Sequence, residues 1–294
     1  MENSFEVKGL IKEYRNFRLG PMELELKRGS VMGFVGNNGA GKTTTIMMLC
    51  GLLRQEAGEI KILGENVNLK KGSWKNNIGY VGDACGFYES WNVMANLSFT
   101  SQFYHNWSND YMKEIISRLE LPTNKRIKEL SAGNRMKLRI VSALSYKPQL
   151  LLLDEPSSGL DPVMRNEFTD ILFEYMENEN NSIFYSTHVI SEISRLADEL
   201  TFITNGKLVL KSSKEDLLEN WKAILIKSKV DSKNIPNVEE IESDSTLTKI
   251  ISSDINSTTE YLKQTNFEIF DVSNLSLEDI SLQILKRKMK CSDY

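Results

Sequence analysis

"SVMGFVGNNGAGKTTTIMML", residues 30–49, runs from a short apolar segment through a glycine-rich turn into a helix-compatible stretch. "SVMGFVG" is too short for a helix and apolar on both faces, the pattern of a buried parallel strand. In "GNNGAGKT", residues 36–43, glycine is needed at Gly36, Gly39 and Gly41 so that backbone amides can wrap phosphate oxygens. The helix that follows adds its positive end. Lys42 is expected on the β and γ phosphates and the Thr43 hydroxyl on Mg²⁺, with Asn37, Asn38, Ala40 and Thr44 completing the nucleotide-binding stretch. A glycine-rich turn without a ligand is the plainer reading of such a pattern. The strand before it and the helix after it argue for nucleotide.

Two further apolar runs, "LLLLD" (150–154) and "SIFYSTH" (182–188), read as buried strands that also end in polar residues. Open α/β sheets bind ligands at the carboxyl ends of their strands, so these ends are candidates for the same site. Asp154 is placed to reach Mg²⁺ directly or through water, and Glu155 to act on an attacking water as general base. His188 is placed to meet the γ phosphate or that water. The chain's other histidine, His105 in "QFYHNW", lacks such a setting and reads as a surface or packing residue. Tyr14 in "LIKEYRNF" is a candidate to stack on an adenine ring.

A second anion-seeking helix start follows in "LSAGNRMKLRIVSALSYKP", residues 130–148. Ser131 is suited to cap it and Gly133 to let an anion approach closely, while Met136, Ile140, Val141 and Leu144 recur at helical spacing. It falls between about residues 88 and 147, a helical and aromatic-rich insertion with no strand-like run. Lying away from the first loop, it is expected to serve a nucleotide held by another copy of the chain, in a two-fold pair.

Together these motifs resemble the ATP-binding cassette (ABC) family. "GNNGAGKTT" looks like its Walker A, "LSAGNRM" its signature, "LLLLDEP" its Walker B with catalytic glutamate, "SSGLD" its D-loop and "STH" its switch histidine, in that order over residues 4–212. The resemblance implies a P-loop NTPase α/β core with a helical subdomain, ATP and Mg²⁺ as cofactors, and ATP hydrolysis coupled to transport. It implies Lys42, Glu155 and His188 as catalytic residues and Tyr14 as the adenine-stacking ring. Ser131, Ala132, Gly133 and Asn134 would meet the opposing nucleotide, and Asp161 would link the two sites. Two departures stand out. "LSAGN" replaces the usual "LSGGQ", and Asp83 in "YVGDACGF" stands where the family has its Q-loop glutamine, so Asp83 joins Thr43 and Asp154 as an expected metal ligand. The pattern looks most like single-cassette ATPases of bacterial ABC-2-type exporters, including those for antimicrobial or amphipathic peptides. Its partners would be a second nucleotide-binding subunit and separate membrane permease chains, holding it peripherally on the cytoplasmic face of the membrane.

The whole-chain figures agree with this. The 294 residues are 40% apolar and 26% charged, ordinary for a globular protein. No apolar run approaches the roughly 18 residues that span a bilayer, and the first residues do not form a signal peptide. Cys50, Cys85 and Cys291 are odd in number and widely spaced, which suggests neither disulfides nor a zinc site. The net charge of −4 and the lack of coiled-coil heptads disfavour a cassette acting on nucleic acid or the ribosome. An ATP-gated regulator of a membrane complex shares every motif with a transporter subunit.

A hairpin around Asn205-Gly206 is expected to close the first domain near residue 212. Beyond it "KAILIKSK", "TKIISS" and "FEIFDVS" read as strands, and "STTEYLKQT" and "LEDISLQILKRK" as helices. Residues 213–294 are therefore expected to form a small α+β domain, which the resemblance to C-terminal extensions of this family implies to be accessory or dimerising, and the tail "KRKMK" (286–290) a solvated helix end.

Overall fold

A computed structural model describes residues 2–67, 72–84, 86–227, 235–244 and 246–287; Cys85, Cys291 and the last residues of "KRKMK" lie outside them. In chain order the elements are β1 (Asn3–Tyr14), β2 (Phe17–Lys27), β3 (Val31–Val35), α1 (Lys42–Leu49), β4 (Ala57–Ile62), β5 (Glu65–Asn66) and β6 (Ile78–Val81). Then come α2 (Val93–Ser101), α3 (Asn109–Arg118), α4 (Ala132–Leu144), β7 (Leu150–Asp154), α5 (Pro162–Met176), β8 (Ser182–Thr187), β9 (Glu199–Thr204) and β10 (Lys207–Ser213). The last are α6 (Lys214–Asn220), β11 (Lys222–Ile226), β12 (Val238–Ser243), β13 (Thr248–Ser252), α7 (Ile255–Gln264), β14 (Ile269–Asn274) and α8 (Leu277–Arg287).

The central sheet has the order β10-β9-β3-β8-β7-β6. It is parallel from β9 to β6, with β10 antiparallel at one edge. β3, β7 and β8 are buried along their whole length, as expected of strands covered on both faces. Their carboxyl ends carry the P-loop, Asp154-Glu155 and His188, which is how residues distant in sequence come to one edge.

A second, antiparallel sheet, β2-β1-β4-β5, covers one face of the first. The sequence reading did not separate it from the parallel core. Its strands alternate, with Met22, Leu24 and Leu26 inward along β2. Phe184 of β8 packs between Phe5 and Phe34 at ring-centroid distances of 5.2 and 5.0 Å, joining the two sheets. On the opposite face, α2 to α5 bury Leu97, Ile115, Ile140, Phe168 and Leu172 against the central sheet.

Beyond β10 lies a third sheet, β12-β13-β11-β14, covered by α7 through Ile224, Ile250 and Leu262. β12 was not expected from sequence, because "VEEIES" is partly exposed throughout and has no apolar alternation. α8 touches β12 of this sheet and packs also on β9, β10 and the 3-10 turn Ile190–Glu192, so its Ile280 and Ile284 share a hydrophobic cluster with Ile190 and Ile193. Among the described residues, no helix is long and apolar enough to cross a membrane.

Candidate functional site

The loop between β3 and α1 turns through Gly39 at φ 77° and Gly41 at φ 110°, backbone angles that side chains resist. A Cβ on Gly41 would also meet Leu19 at 2.4 Å and Phe17 at 3.2 Å, whereas one on Gly39 would meet nothing within 4 Å. Gly39 is thus open toward the ligand side and Gly41 is closed against the fold. Lys42 is buried, and its Nζ donates to the carbonyls of Gly36 (2.7 Å) and Asn37 (3.2 Å). The ammonium is therefore held in place by its own loop. Ala40 is buried and its carbonyl accepts from Gly206 N at 3.0 Å, so Asn37 and Ala40 shape the loop while Asn38, Gly39, Gly41, Lys42, Thr43 and Thr44 line a cavity of about 460 Å³.

Glu155 lines the same cavity. It adopts φ 49°, a left-handed conformation that costs a non-glycine residue about 1–3 kcal/mol. Ser186 compensates by accepting the Glu155 N–H at 3.1 Å. The conformation turns the carboxylate off the line of β7 and back over the loop. There Oε1 lies 3.1 Å from Lys42 Nζ, and Oε2 lies 2.7 Å from His188 Nδ1. An ionised carboxylate only accepts, so His188 donates through Nδ1 and keeps Nε2 for another partner. Asp154 is buried beside this chain, and its Oδ1 accepts from Ser186 Oγ at 2.6 Å.

At the other rim, the hairpin that joins β1 to β2 sets Tyr14 directly opposite Phe17. Their rings are 6.4 Å apart, and the Lys12 ammonium sits 5.6 Å from the Tyr14 ring. Phe17 faces the cavity, a residue the sequence reading missed; a hairpin turn at Arg15-Asn16 was the signal that would have paired it with Tyr14.

Ser131 caps α4, accepting Asn134 N–H at 3.2 Å, and both Ser131 and Ala132 are exposed. None of Ser131, Ala132, Gly133 or Asn134 lines the P-loop cavity. Asp161 caps α5 through the N–H groups of Val163 and Met164, each at 3.0 Å, and the Met164 bond leads those that hold its carboxyl below the usual carboxylate range. Asp83 is almost fully exposed, and its carboxylate is engaged by Arg139 Nη1 of α4 at 2.8 Å rather than by the P-loop. His105 is exposed, as its sequence setting suggested.

Comparison with known proteins places this geometry. The ABC transporter family matches residues 19–158. An uncharacterized ABC transporter ATP-binding protein of Methanocaldococcus jannaschii is 31% identical over 249 residues, covering 82% of this chain and 90% of that one. The chain belongs to the ABC transporter ATP-binding family. The bacitracin transport ATP-binding protein BcrA of Bacillus licheniformis is 36% identical over 190 residues, spanning 64% of this chain and 62% of that relative's length. Among solved structures, the ATP-binding subunit of an ABC transporter superposes with a TM-score of 0.65 at 26% identity, covering 73% of this chain and 92% of that one.

In ABC terms, the signature helix α4 and the D-loop of the same chain touch backbone to backbone. A Cβ on Gly133 would lie 2.4 Å from the Gly159 carbonyl oxygen, so this glycine is required by the fold as well as by any anion. Gly133→Ala is expected to cost about 1–3 kcal/mol by overpacking. Thermal melting checks this, and an unchanged midpoint would show that the D-loop yields without strain.

A groove of about 330 Å³ opens on the far side of α4, lined by Tyr80, Phe87, Tyr104, Arg139 and Tyr146 among others. Tyr104 and Tyr146 stack in it at 3.8 Å. Beside it runs a ladder of rings: Tyr88 stacks on Trp91 at 4.5 Å, Phe99 meets both edge-on, and Phe103 meets Phe99 at 5.1 Å. Tyr88, Trp91 and Phe103 are nonetheless exposed, so the ladder leaves a contiguous apolar patch on the surface.

Proposed function

We propose that this ABC ATPase is the engine of a membrane exporter, working as a pair of copies that enclose two ATP molecules and drive separate membrane-spanning chains. The observation that carries the pairing is the incomplete cavity. Its wall has the P-loop, Phe17 and Glu155 but nothing from the helix start Ser131–Asn134, whose Ser131 and Ala132 are exposed. A two-fold, isologous arrangement would bring each copy's helix start to the other's cavity.

Within each site Tyr14 and Phe17 offer faces for adenine, and the Gly39 amide region and Lys42 receive the phosphates. Phosphate oxygens would compete with Glu155 for Lys42, releasing the carboxylate to take a proton from the attacking water. His188, already bonded to Glu155 through Nδ1–H, would offer Nε2 as an acceptor to the attacking water beside the γ phosphate. Among the described residues no cluster of three or more His, Cys, Asp or Glu stands together. Mg²⁺ fits such a site, since it is usually held by one or two protein oxygens plus phosphate, here Thr43 and Asp154. Bound Mg²⁺ would offset the charge that builds on the transferring phosphoryl group. Asp83 would join only by leaving Arg139.

Residues 1–212 would form the ATPase domain, with its helical part at about 88–147, and residues 213–294 an accessory domain. Likeness to the bacitracin transport protein supports transport as the work that hydrolysis drives. The groove and ring ladder are suited to a cytoplasmic helix of the membrane chain, which would hold this chain on the inner face of the cell membrane. A net charge of −4 gives no support to nucleic acid as the partner. Fractionation of the native cell tests this reading. The chain is expected to sediment with membranes, and Phe103→Glu, a change at an exposed ring, to move it into the supernatant while it remains folded by circular dichroism. A chain that never sediments would count against the membrane role, and one that sediments regardless of Phe103→Glu against the ladder as its dock.

A further inference from the structure

Glu192 ends the 3-10 turn Ile190–Glu192, four residues past His188, and its side chain is only 9% exposed. Burial pushes its carboxyl above the usual range, against the Thr187 hydrogen bond that lowers it. A buried carboxylate is costly to keep, so its partners matter.

Those partners converge on the catalytic edge. Thr187 Oγ1 donates to Glu192 Oε2 at 2.8 Å, and the same oxygen accepts Val189 N–H at 2.9 Å. Thr187 and Val189 flank His188, so the hydroxyl pins both ends of the segment carrying the imidazole. Thr187 also presents its carbonyl to Gly36 N of the P-loop at 3.2 Å. On the other side Glu192 Oε1 lies 3.8 Å from Arg165 Nη1, while Arg165 Nη2 donates to the carbonyl of Leu160 in the D-loop at 3.2 Å. One carboxylate thus connects the turn of His188 with the helix start that follows Glu155.

We propose that Glu192 is a positioning residue for ATP hydrolysis, holding Thr187 so that His188 stays in register with Glu155. This rests on the reading of Glu155 and His188 as catalytic groups. Glu192 does not line the P-loop cavity; it acts through Thr187. The Thr187 bond is the operative one, because at 3.8 Å the Arg165 contact is beyond hydrogen-bonding distance.

The test is steady-state ATPase kinetics on the full chain. Misplacing His188 by a fraction of an ångström in Glu192→Ala should lower kcat about tenfold and change KM for ATP less than about twofold. Glu192→Gln keeps an acceptor for Thr187 and should stay within about twofold of the parent. In a His188→Ala background, Glu192→Ala should cause no further loss, since the group it positions is gone. If His188→Ala itself leaves kcat unchanged, the catalytic reading fails. If His188→Ala lowers kcat but Glu192→Ala does not, or its loss persists in full on that background, the positioning role is overturned.

Discussion

Glu155→Gln is expected to lower ATP turnover about 10²–10⁴-fold, the range that a positioned general base contributes. The substitution keeps the shape of the side chain and one oxygen able to accept from Lys42 or His188. It removes the negative charge, one of the two accepting oxygens and the capacity to take a proton. Lys42 retains its bonds to the Gly36 and Asn37 carbonyls, so ATP binding should survive. With hydrolysis blocked, the paired form should accumulate, and light scattering with Mg²⁺-ATP should show a monomer becoming a dimer. Ser131→Arg should abolish that shift, because Ser131 is exposed at the helix start that would face the opposite nucleotide. A rate within about threefold of the parent would remove Glu155 from its role as base. Intact ATP binding without any shift would mean that two copies do not pair on their own, and the membrane chains would have to bring them together.

The nucleotide-binding residues were legible because each motif is a local solution to a local problem. A glycine loop between strand and helix, an acidic pair ending a four-leucine strand and a serine before a helix can each be read in a few residues. What escaped depends on residues far apart in sequence. Phe17 reaches the cavity through a hairpin register, Gly133 is confined by the carbonyl of Gly159, and Asp83 is held by Arg139 across the interval between β6 and α4. Nothing near Asp83 announces that arginine. The antiparallel sheet over the core shows period-two alternation along β2, but alternation does not say which sheet a strand joins. The same limit applies to α8. Its helical spacing was clear, but spacing identifies a buried face and not the surface that buries it.

That surface leads to the largest expected effect on stability. Ile280 and Ile284 are fully buried, one helical turn apart on α8, in the cluster that holds Ile190 and Ile193 beside the turn after His188. Each change to alanine should cost about 2–5 kcal/mol, combining lost transfer energy with the cavity left behind. Neighbouring sites need not add, but the pair approaches the total of about 5–15 kcal/mol that holds a typical domain together. Chemical denaturation of Ile280→Ala/Ile284→Ala should therefore show the whole chain losing stability, and not the C-terminal region alone. The physical reason is continuity. α8 belongs by sequence to the last α+β unit and touches β12 there, yet its apolar face packs on the ATPase core, so it cannot loosen without exposing the turn that carries Glu192. If the double variant melts in two steps, with the core transition where the parent has it, α8 is an appendage and the His188 turn stands without it.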